Sequence, residues 1–409
     1  MTTLAQQLPD DKCPRQTTTS ETGRTQIRLH SLDALRGLAA SLVLFVHYDN
    51  PDGPIAGYSG IPGFDVQISA FGHSFTVLGQ ATYFGLDASL QVGYLSVQLF
   101  FVLSGFIFMY IYYDRLSNRR VSVGDFAVAR FSRLFPLAWM ATLAMIPLIL
   151  LAGNHTRINL WSIVQNVLIL GGFEGLDQPI GAALYNVPLW SLTAELWAYA
   201  LFVIVCRSTK SKYWFAAPII VAMLVMQLDL HTISVLSPNF LRVFVGFFMG
   251  CLTYLLVQQP RSTKMNRLLG WTSLATFTAI SISALLTHHQ IDGNTGFVFS
   301  TVAFPALLVA VLCVGWLRYV LSTRFFRWLG NLSFGIYLWH WPVFTLVAVL
   351  YAHGVRLPLQ SSKFMVLTFA IVVLVSHFSY YYVEKPLQAL IRRRYAKSKG
   401  AAMGPETNG

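Results

Sequence analysis

Arg36 and His47 stand at the two ends of an apolar stretch, "RGLAASLVLFVH", and both side chains could take part in chemistry. A helix turns by about 100° per residue, so eleven residues return to nearly the same face while the axis rises by about 16 Å. A guanidinium binds anionic groups, and a neutral imidazole accepts a proton. The spacing therefore predicts one helix face with an anion-binding end and a proton-accepting end. The alternatives are an Arg36 that pairs with Asp33 and reaches the lipid headgroups, and a His47 that merely ends a helix at the interface.

Two further arginines, Arg130 and Arg133, occur in "VARFSRLFPLAW" at a spacing that makes them neighbours on a helix. Adjacent guanidiniums can bind phosphate groups bidentately, which predicts an anion-binding pair. The alternative is a simple positively charged anchor that contacts lipid phosphates. Pro136 is expected in the first turn of a membrane helix that starts at this point.

Glu195, in "NVPLWSLTAELWAYALF", lies about seven residues into a predicted membrane helix, at a depth similar to that of His47. A buried carboxylate beside a histidine can orient or polarise the ring, as the third member of a catalytic triad does. Glu195 is therefore predicted to support His47 in catalysis. The alternative is a structural hydrogen bond to a serine or tryptophan.

Three more polar residues within predicted spans are candidates for substrate binding or structural support. Arg242 could neutralise an anionic group near the outer end of its helix, or could reach the interface without a ligand. Tyr337 and His340 share a helix face at a spacing of three residues. For His340 the alternative is a histidine packed in the core.

The elements that must position these residues are long apolar segments. Of the 409 residues, 55% are hydrophobic and 11% are charged, whereas about 25% charged residues are usual in a soluble domain. About 20 apolar residues suffice to cross the hydrocarbon core. The sequence thus predicts an all-α, polytopic transmembrane bundle of about ten helices. The predicted spans are 32–48, 93–113, 134–152, 188–206, 213–231, 239–258, 269–287, 296–316, 328–351 and 364–383.

The positions of the basic residues predict an orientation in the membrane. Of the 29 Lys and Arg residues, 24 fall in segments on one side, three on the other and two within spans. Basic residues favour the cytoplasmic side, so both termini are predicted to be cytoplasmic. The net charge of +12 is then a topology signal that requires no nucleic acid partner. The predicted organisation is a disordered cytoplasmic tail over 1–29, a membrane domain over 30–390 and a basic cytoplasmic tail over 391–409.

Two long outer loops are predicted over 49–92 and 153–187. The second contains "NLWSIVQNVLIL", which is too short to span a membrane and is predicted to be a helix at its surface. The four cysteines are scattered, so neither a disulfide framework nor a metal site is predicted.

Several ordered segments resemble the acyltransferase 3 family of bacterial integral-membrane O-acyltransferases. "LDALRGLAASLVLFVH" resembles the first helix of that family, including the separation of Arg36 and His47. "FFVLSGFI" resembles its second-helix signature, and the pair Arg130 and Arg133 resembles its paired-arginine motif. "PLWSLTAELWAY", "LGNLSFGIYLWHWPV" and "VEKPL" resemble later segments, so the resemblance covers about residues 29–390.

The resemblance implies transfer of an acyl group, usually acetyl, from cytoplasmic acyl-CoA to a hydroxyl of a carbohydrate or glycolipid acceptor. Such acceptors include surface polysaccharide, O-antigen and Nod factor-like molecules, and the enzyme would lie in a bacterial inner membrane. Acyl-CoA would be the donor substrate, with no permanently bound cofactor. In that scheme Arg36, Arg130 and Arg133 bind the donor, while His47 acts as general base and Glu195 orients it. The chain is expected to be a stand-alone member, without the SGNH hydrolase-like domain of longer members.

Two other functions stay open at this point. One is acylation of a small secondary metabolite such as a macrolide. The other is proton-coupled transport, because arginine, histidine and glutamate within membrane helices can also form a proton pathway. The sequence shows no inverted repeat, which favours the enzyme over the transporter.

Overall fold

The computed structural model describes residues 30–49, 66–70, 73–77, 92–154, 157–171, 184–228, 230, 237–286, 293–359 and 361–402. Within these ranges the chain is almost entirely helical. The helices, numbered in chain order, are α1 (His30–Asp49), α2 (Val92–Ser117), α3 (Val123–Leu151), α4 (Leu160–Leu168), α5 (Leu189–Ser208), α6 (Ala217–Gln227), α7 (Pro238–Val257), α8 (Thr263–Leu286), α9 (Gly293–Val298), α10 (Phe304–Cys313), α11 (Gly315–Leu321), α12 (Arg324–Ala352), α13 (Ser362–Ser379) and α14 (Lys385–Ala402).

Short helical turns of other types also connect some of the described helices. A 3₁₀ helix, Lys212–Ala216, precedes α6. Two π-helical turns, Phe299–Ala303 and Tyr380–Glu384, connect α9 to α10 and α13 to α14. Such π-helical turns are rare and occur frequently at functional sites.

A β-hairpin within the predicted loop 49–92 departs from the all-α prediction. Strand β1 (Val66–Ala70) pairs antiparallel with β2 (His73–Val77), with Val66 opposite Val77. The two five-residue segments are rich in β-branched and aromatic residues, which favour strands. The sequence analysis predicted a loop and no strands here, because it used the hydropathy of the segment and not its strand propensity.

Seven of the described helical segments are long and apolar enough to cross a membrane. They are Leu95–Ser117, Val123–Leu151, Leu189–Ser208, Phe240–Val257, Thr295–Cys313, Arg324–Ala352 and Ser362–Lys399. The other three predicted spans overlap with α1, with the segment Lys212–Gln227 and with α8. Each predicted span therefore coincides with a helix. The number of helices that cross the membrane stays a prediction.

Helices α1 and α12 run parallel and touch through their backbones. A Cβ atom added to Gly37 would lie 2.8 Å from the backbone nitrogen of Gly330, and one added to Gly330 would lie 2.3 Å from the carbonyl oxygen of Asp33. Further along both helices, the ring of His47 packs against that of His340. Small residues permit this close approach of two helices, which sets the relative height of their polar side chains.

A second close contact joins α2 to α7. A Cβ atom on Gly105 would lie 1.7 Å from the carbonyl oxygen of Phe247, and one on Gly250 would lie 2.0 Å from that of Val102. The adjacent Cys251 Sγ donates a hydrogen bond to the Gly105 carbonyl oxygen at 3.4 Å. Helix α2 is therefore held between α1 and α7, and its residues reach the centre of the bundle.

Helix α3 begins at Val123, well before the start of the predicted span at residue 134. Ser122 Oγ accepts a hydrogen bond from the Asp125 backbone nitrogen, and the Asp125 carboxylate accepts one from the Ser122 nitrogen. This capping box starts the helix in a polar segment that hydropathy does not detect. Pro136, expected in the first turn, consequently lies inside the helix.

The predicted domain boundary at residue 390 falls inside α14, which packs along the first part of α3. Arg392 Nε donates to Ser132 Oγ at 3.3 Å, and Lys399 Nζ forms an ion pair with Asp125 at 2.9 Å. The start of the predicted basic tail is thus packed onto the bundle. The predicted disordered tail over 1–29 and residues 403–409 lie outside the described residues.

Helix α4 matches the prediction of a short helix within the loop 153–187. Its apolar face is exposed: Leu160 and Trp161 are 78% and 62% accessible. Its polar face is buried, with Ser162, Gln165 and Asn166 turned inwards. A helix with this inverted arrangement is suited to lie against lipid.

Candidate active site

A cavity of about 490 Å³ lies among α1, α2, α3, α5, α12 and the turn between α13 and α14. Five of the eight residues singled out in the sequence line it: Arg36, Arg130, Arg133, Glu195 and Tyr337. These residues come from four helices and are far apart in the chain, so the tertiary structure brings them together.

Two of the cavity arginines, Arg36 and Arg133, lie close enough for their charges to repel each other. Within the part of the chain that the structure describes, neither guanidinium has a hydrogen bond or an ion pair within 4.0 Å. Repelling cations in a cavity attract an anionic ligand, because a ligand that binds both relieves the repulsion.

Arg130, the third cavity arginine, is held rigidly. Its Nη2 donates to Tyr112 Oη at 2.7 Å. Its guanidinium carbon also lies 5.1 Å from the centre of the Phe108 ring and 5.0 Å from that of Tyr112. Cation–π contacts of this kind hold a guanidinium in place. Little conformational entropy is then lost when the guanidinium binds a ligand.

A buried carboxylate, Glu384, also lines the cavity, as do the charged residues Asp33, Glu195 and Lys385. It ends the π-helical turn Tyr380–Glu384, is only 5% exposed and interacts electrostatically with Arg133 and Arg36. Its Oε2 has no hydrogen-bond partner among the described residues. Glu384 belongs to the segment "VEKPL", which the sequence analysis noted only for its resemblance to a segment of the family.

Glu195 occupies the cavity wall, where its carboxylate accepts a hydrogen bond from Ser104 Oγ. Tyr199, one turn later, interacts with the same carboxylate, and the charge of Glu195 also acts on Arg36. No hydrogen bond joins Glu195 to His47 in the described structure. The described structure thus places this carboxylate in the cavity wall, and its role in orienting His47 stays a prediction.

The backbone carbonyl of Val43 holds His47 in place. His47 Nδ1 lies 3.0 Å from the Val43 oxygen, one turn earlier on α1. A carbonyl oxygen only accepts hydrogen bonds, so Nδ1 is the donor and the neutral ring keeps an available lone pair on Nε2. This contact fixes the tautomer and orients the ring, and orienting the ring was the role predicted for Glu195.

His340 is the nearest histidine to His47, with ring centres 5.1 Å apart. It is fully buried, and among the described residues neither Nδ1 nor Nε2 makes a hydrogen bond of normal geometry; the backbone of Ile336 and Tyr337, one turn earlier, acts on the ring. Trp341 contacts both rings, at 5.7 Å from His47 and 6.3 Å from His340. These three residues, His47, His340 and Trp341, form the ring triad.

Tyr337 links the cavity to the ring triad. Its ring lines the cavity and lies 5.9 Å from that of His340. Its hydroxyl contacts Ser191 Oγ at 2.7 Å and donates to the Pro188 carbonyl oxygen at 3.1 Å. The side chain therefore lies between the cavity and the ring triad, and Ser191, which the sequence analysis had not singled out, holds its hydroxyl.

Arg242 is the last of the candidates for substrate binding or structural support. It is partly buried on α7 and is absent from the residues that line the cavity. Its predicted role in substrate binding or structural support stays a prediction.

The fold and the cavity define a polytopic helical membrane protein with an anion-attracting cavity. Its sequence matches the acyltransferase domain of the acyltransferase 3 family over residues 29–377. The chain therefore belongs to this family, as the resemblance of its motifs predicted.

Three curated relatives show what kinds of proteins the chain resembles. A candidate peptidoglycan O-acetyltransferase of Bacillus subtilis, YrhL, is 26% identical over 82% of the chain and 56% of its own length. The peptidoglycan O-acetyltransferase OatA of Listeria monocytogenes is 23% identical over 72% of the chain and 51% of its own length. The O-acetyltransferase OatA of Staphylococcus aureus is 22% identical over 77% of the chain and 56% of its own length. The chain spans about half the length of these relatives, and no solved structure matches it.

Proposed function

We propose that this protein is a membrane O-acyltransferase that transfers an acetyl group from acetyl-CoA to a hydroxyl of a carbohydrate acceptor. The observation that carries the proposal is the path from Arg36 and Arg133, through the cavity, to Tyr337 and the ring triad. Arg36 and His47 share a face of α1 and are separated by about 16 Å of helix rise. Donor binding and proton transfer can thus occur at two ends of one site.

The arginines are suited to the phosphates of the donor. Arg36 and Arg133 are available in the cavity, and Arg130 is preorganised beside them. Charge-assisted bonds from guanidinium to phosphate are stronger than neutral hydrogen bonds. The cavity wall also includes apolar side chains, among them Val97, Phe100 and Leu338, which would suit the pantetheine arm.

His47 would act as general base for the attacking hydroxyl. The Val43 carbonyl leaves Nε2 as the proton acceptor. As the hydroxyl oxygen bonds to the thioester carbon, its proton passes to Nε2. The carbon–sulfur bond then breaks, and the imidazolium returns the proton to the CoA thiolate, so the enzyme ends in its starting state.

The proposed arrangement in the membrane follows from the charge pattern. Ten spans with both termini in the cytoplasm would put the arginines near the cytoplasmic face, where acyl-CoA is available. His47 would lie in the outer half of the membrane, near an acceptor outside the cell. This corresponds to a multi-pass protein of the bacterial inner membrane.

The acceptor is proposed from the names of the relatives. Two of them are named for peptidoglycan, so a peptidoglycan-type glycan is the first acceptor to test. A small metabolite such as a macrolide would use the same donor site and the same base, so it belongs in the same assay as a second acceptor.

The decisive experiment uses protein reconstituted in liposomes with radiolabelled acetyl-CoA and soluble peptidoglycan fragments. His47→Ala should abolish transfer to the glycan. The matched control is His353→Ala, because His353 Nδ1 makes the same contact to a carbonyl oxygen four residues earlier, at 2.8 Å from Val349, but lies outside both sites. Normal transfer by His47→Ala would overturn the proposal. Transfer only to a macrolide would retain the chemistry and change the acceptor.

A further inference from the structure

The ring triad contains hydrogen-bonding groups, on His340 and Trp341, that have no role in the proposed mechanism. His340 Nδ1, His340 Nε2 and Trp341 Nε1 are all buried, and among the described residues none of them makes a hydrogen bond of normal geometry. His340 is fully buried, and Trp341 is 6% exposed. A buried polar group without a hydrogen bond is destabilising, so such groups indicate a ligand that binds to them during function.

The chemistry of these groups restricts what that ligand can be. An indole nitrogen only donates, so the partner of Trp341 Nε1 must be an acceptor. A neutral imidazole has one N–H donor, so His340 can supply a second donor. Both rings pack against His47, at 5.7 Å and 5.1 Å between centres. Two donors therefore flank the residue proposed to act as general base.

We propose that His340 and Trp341 form the oxyanion hole of this enzyme. The inference rests on the proposed acyl transfer. When the hydroxyl attacks, the π electrons of the thioester carbonyl move to its oxygen, and this oxyanion accepts hydrogen bonds from both side chains. When the carbonyl re-forms, the electron pair returns and the thiolate leaves. The attacking hydroxyl is a poorer match for these donors, because its oxygen lone pair forms the new bond.

The packing of the two residues makes them suitable for this task. Trp341 is enclosed by an apolar cluster with Met145, Ile149 and Tyr185, which fixes the indole. His340 lies between Tyr337 and Phe344, at ring distances of 5.9 Å and 5.8 Å. Hydrogen-bond donors that are already fixed before the reaction stabilise the negative charge that develops on the oxyanion, because the side chains do not have to reorganise.

The test is Trp341→Phe, which removes the N–H and keeps an aromatic ring. Loss of one oxyanion donor typically lowers kcat by about 10²–10³-fold. We expect that loss with an unchanged KM for acetyl-CoA, because the donor would act only in the transition state. The matched control is Trp339→Phe on the same helix, whose indole donates to Ser379 Oγ at 3.0 Å. It should retain normal kcat.

A second pair of variants tests His340. His340→Leu should lower kcat at unchanged KM, and His340→Gln, which keeps an N–H donor, should recover part of the loss. Calorimetric titration with CoA and gel filtration check that each variant is folded. Wild-type kcat in folded Trp341→Phe and His340→Leu would overturn the inference. Absence of acetyl transfer by the wild-type protein would instead overturn the proposed function, so the two failures are distinguishable.

Discussion

His47 Nδ1 lies 3.0 Å from the carbonyl oxygen of Val43 on the same helix. The backbone thus fixes the ring, and no distant carboxylate is needed for this purpose. The contact depends only on helix geometry and on the position of His47 one turn after Val43. It leaves Nε2 available next to His340 and Trp341, where the proposed chemistry takes place.

Arg133→Ala should weaken binding of acetyl-CoA. Arg133 faces the cavity without a hydrogen bond or close ion pair among the described residues, and a charge-assisted bond to phosphate contributes about 1.5–3 kcal/mol. KM for acetyl-CoA should therefore rise by about 10- to 100-fold, and Arg133→Lys should recover only part of the lost affinity for acetyl-CoA. Steady-state kinetics measure the change. Arg324→Ala, at an exposed position outside the cavity, is the control; an equal rise in both variants would indicate a general effect of lost positive charge.

Glu195→Gln should reduce kcat far less than His47→Ala does. The carboxylate bonds to Ser104 and forms no hydrogen bond to His47 in the described structure, and a glutamine oxygen can still accept the Ser104 hydroxyl. Comparison of kcat for the two variants under saturating acetyl-CoA gives the answer. Equal losses would support the triad role that the sequence analysis predicted.

Glu384→Gln should destabilise the protein without ligand and increase its response to CoA. The buried carboxylate offsets the repulsion between Arg36 and Arg133, so its neutralisation leaves two cations facing each other. Bound CoA supplies the missing negative charge. Thermal unfolding with and without CoA should show a lower Tm without ligand and a larger CoA-induced rise than in the wild type.

The control for Glu384 is Asp125→Asn, which breaks the surface ion pair with Lys399. An exposed pair contributes about 0–1 kcal/mol, so Tm should change little, and the CoA response should stay at the wild-type value. A CoA response in Glu384→Gln no larger than that of the control would contradict the electrostatic role.

Gly105→Ala should prevent normal packing of α2 on α7. Its Cβ would lie 1.7 Å from the Phe247 carbonyl oxygen, so the two backbones would have to separate. We expect a large drop in Tm or loss of folded protein in detergent, measured by fluorescence-detected gel filtration. Gly124→Ala is the control, because there the nearest atom is the Tyr395 hydroxyl at 3.2 Å, at the end of a side chain that can move. Wild-type behaviour of Gly105→Ala would show that the close contact is not required.

Much of the site could be predicted from the sequence because helix geometry is local. The common face of Arg36 and His47 follows from eleven residues at a fixed turn per residue. The proximity of Arg130 and Arg133 follows from a spacing of three. Each predicted span coincides with a helix, because long apolar segments in a helical membrane protein must satisfy their backbone hydrogen bonds internally.

The partners across helices could not be predicted in this way. Glu195 shares a depth with His47, but depth does not determine the direction in which a side chain points, and the carboxylate turns to Ser104. The closeness of His340 to His47 depends on the contact of Gly37 with Gly330, which sets two parallel helices at matching heights. Glu384 joins the arginines only because a π-helical turn places it at the cavity.

The sequence by itself determined the helices, the faces on which the arginines and His47 lie and the family of the protein, because these depend on residue type and on spacing along one helix. The tertiary structure alone decided which side chains meet: the cavity that gathers three arginines, the position of Tyr337 between this cavity and His340, and the ring triad around His47. Such contacts depend on how backbones approach one another, and that is set by close packing at a few glycines far apart in the chain.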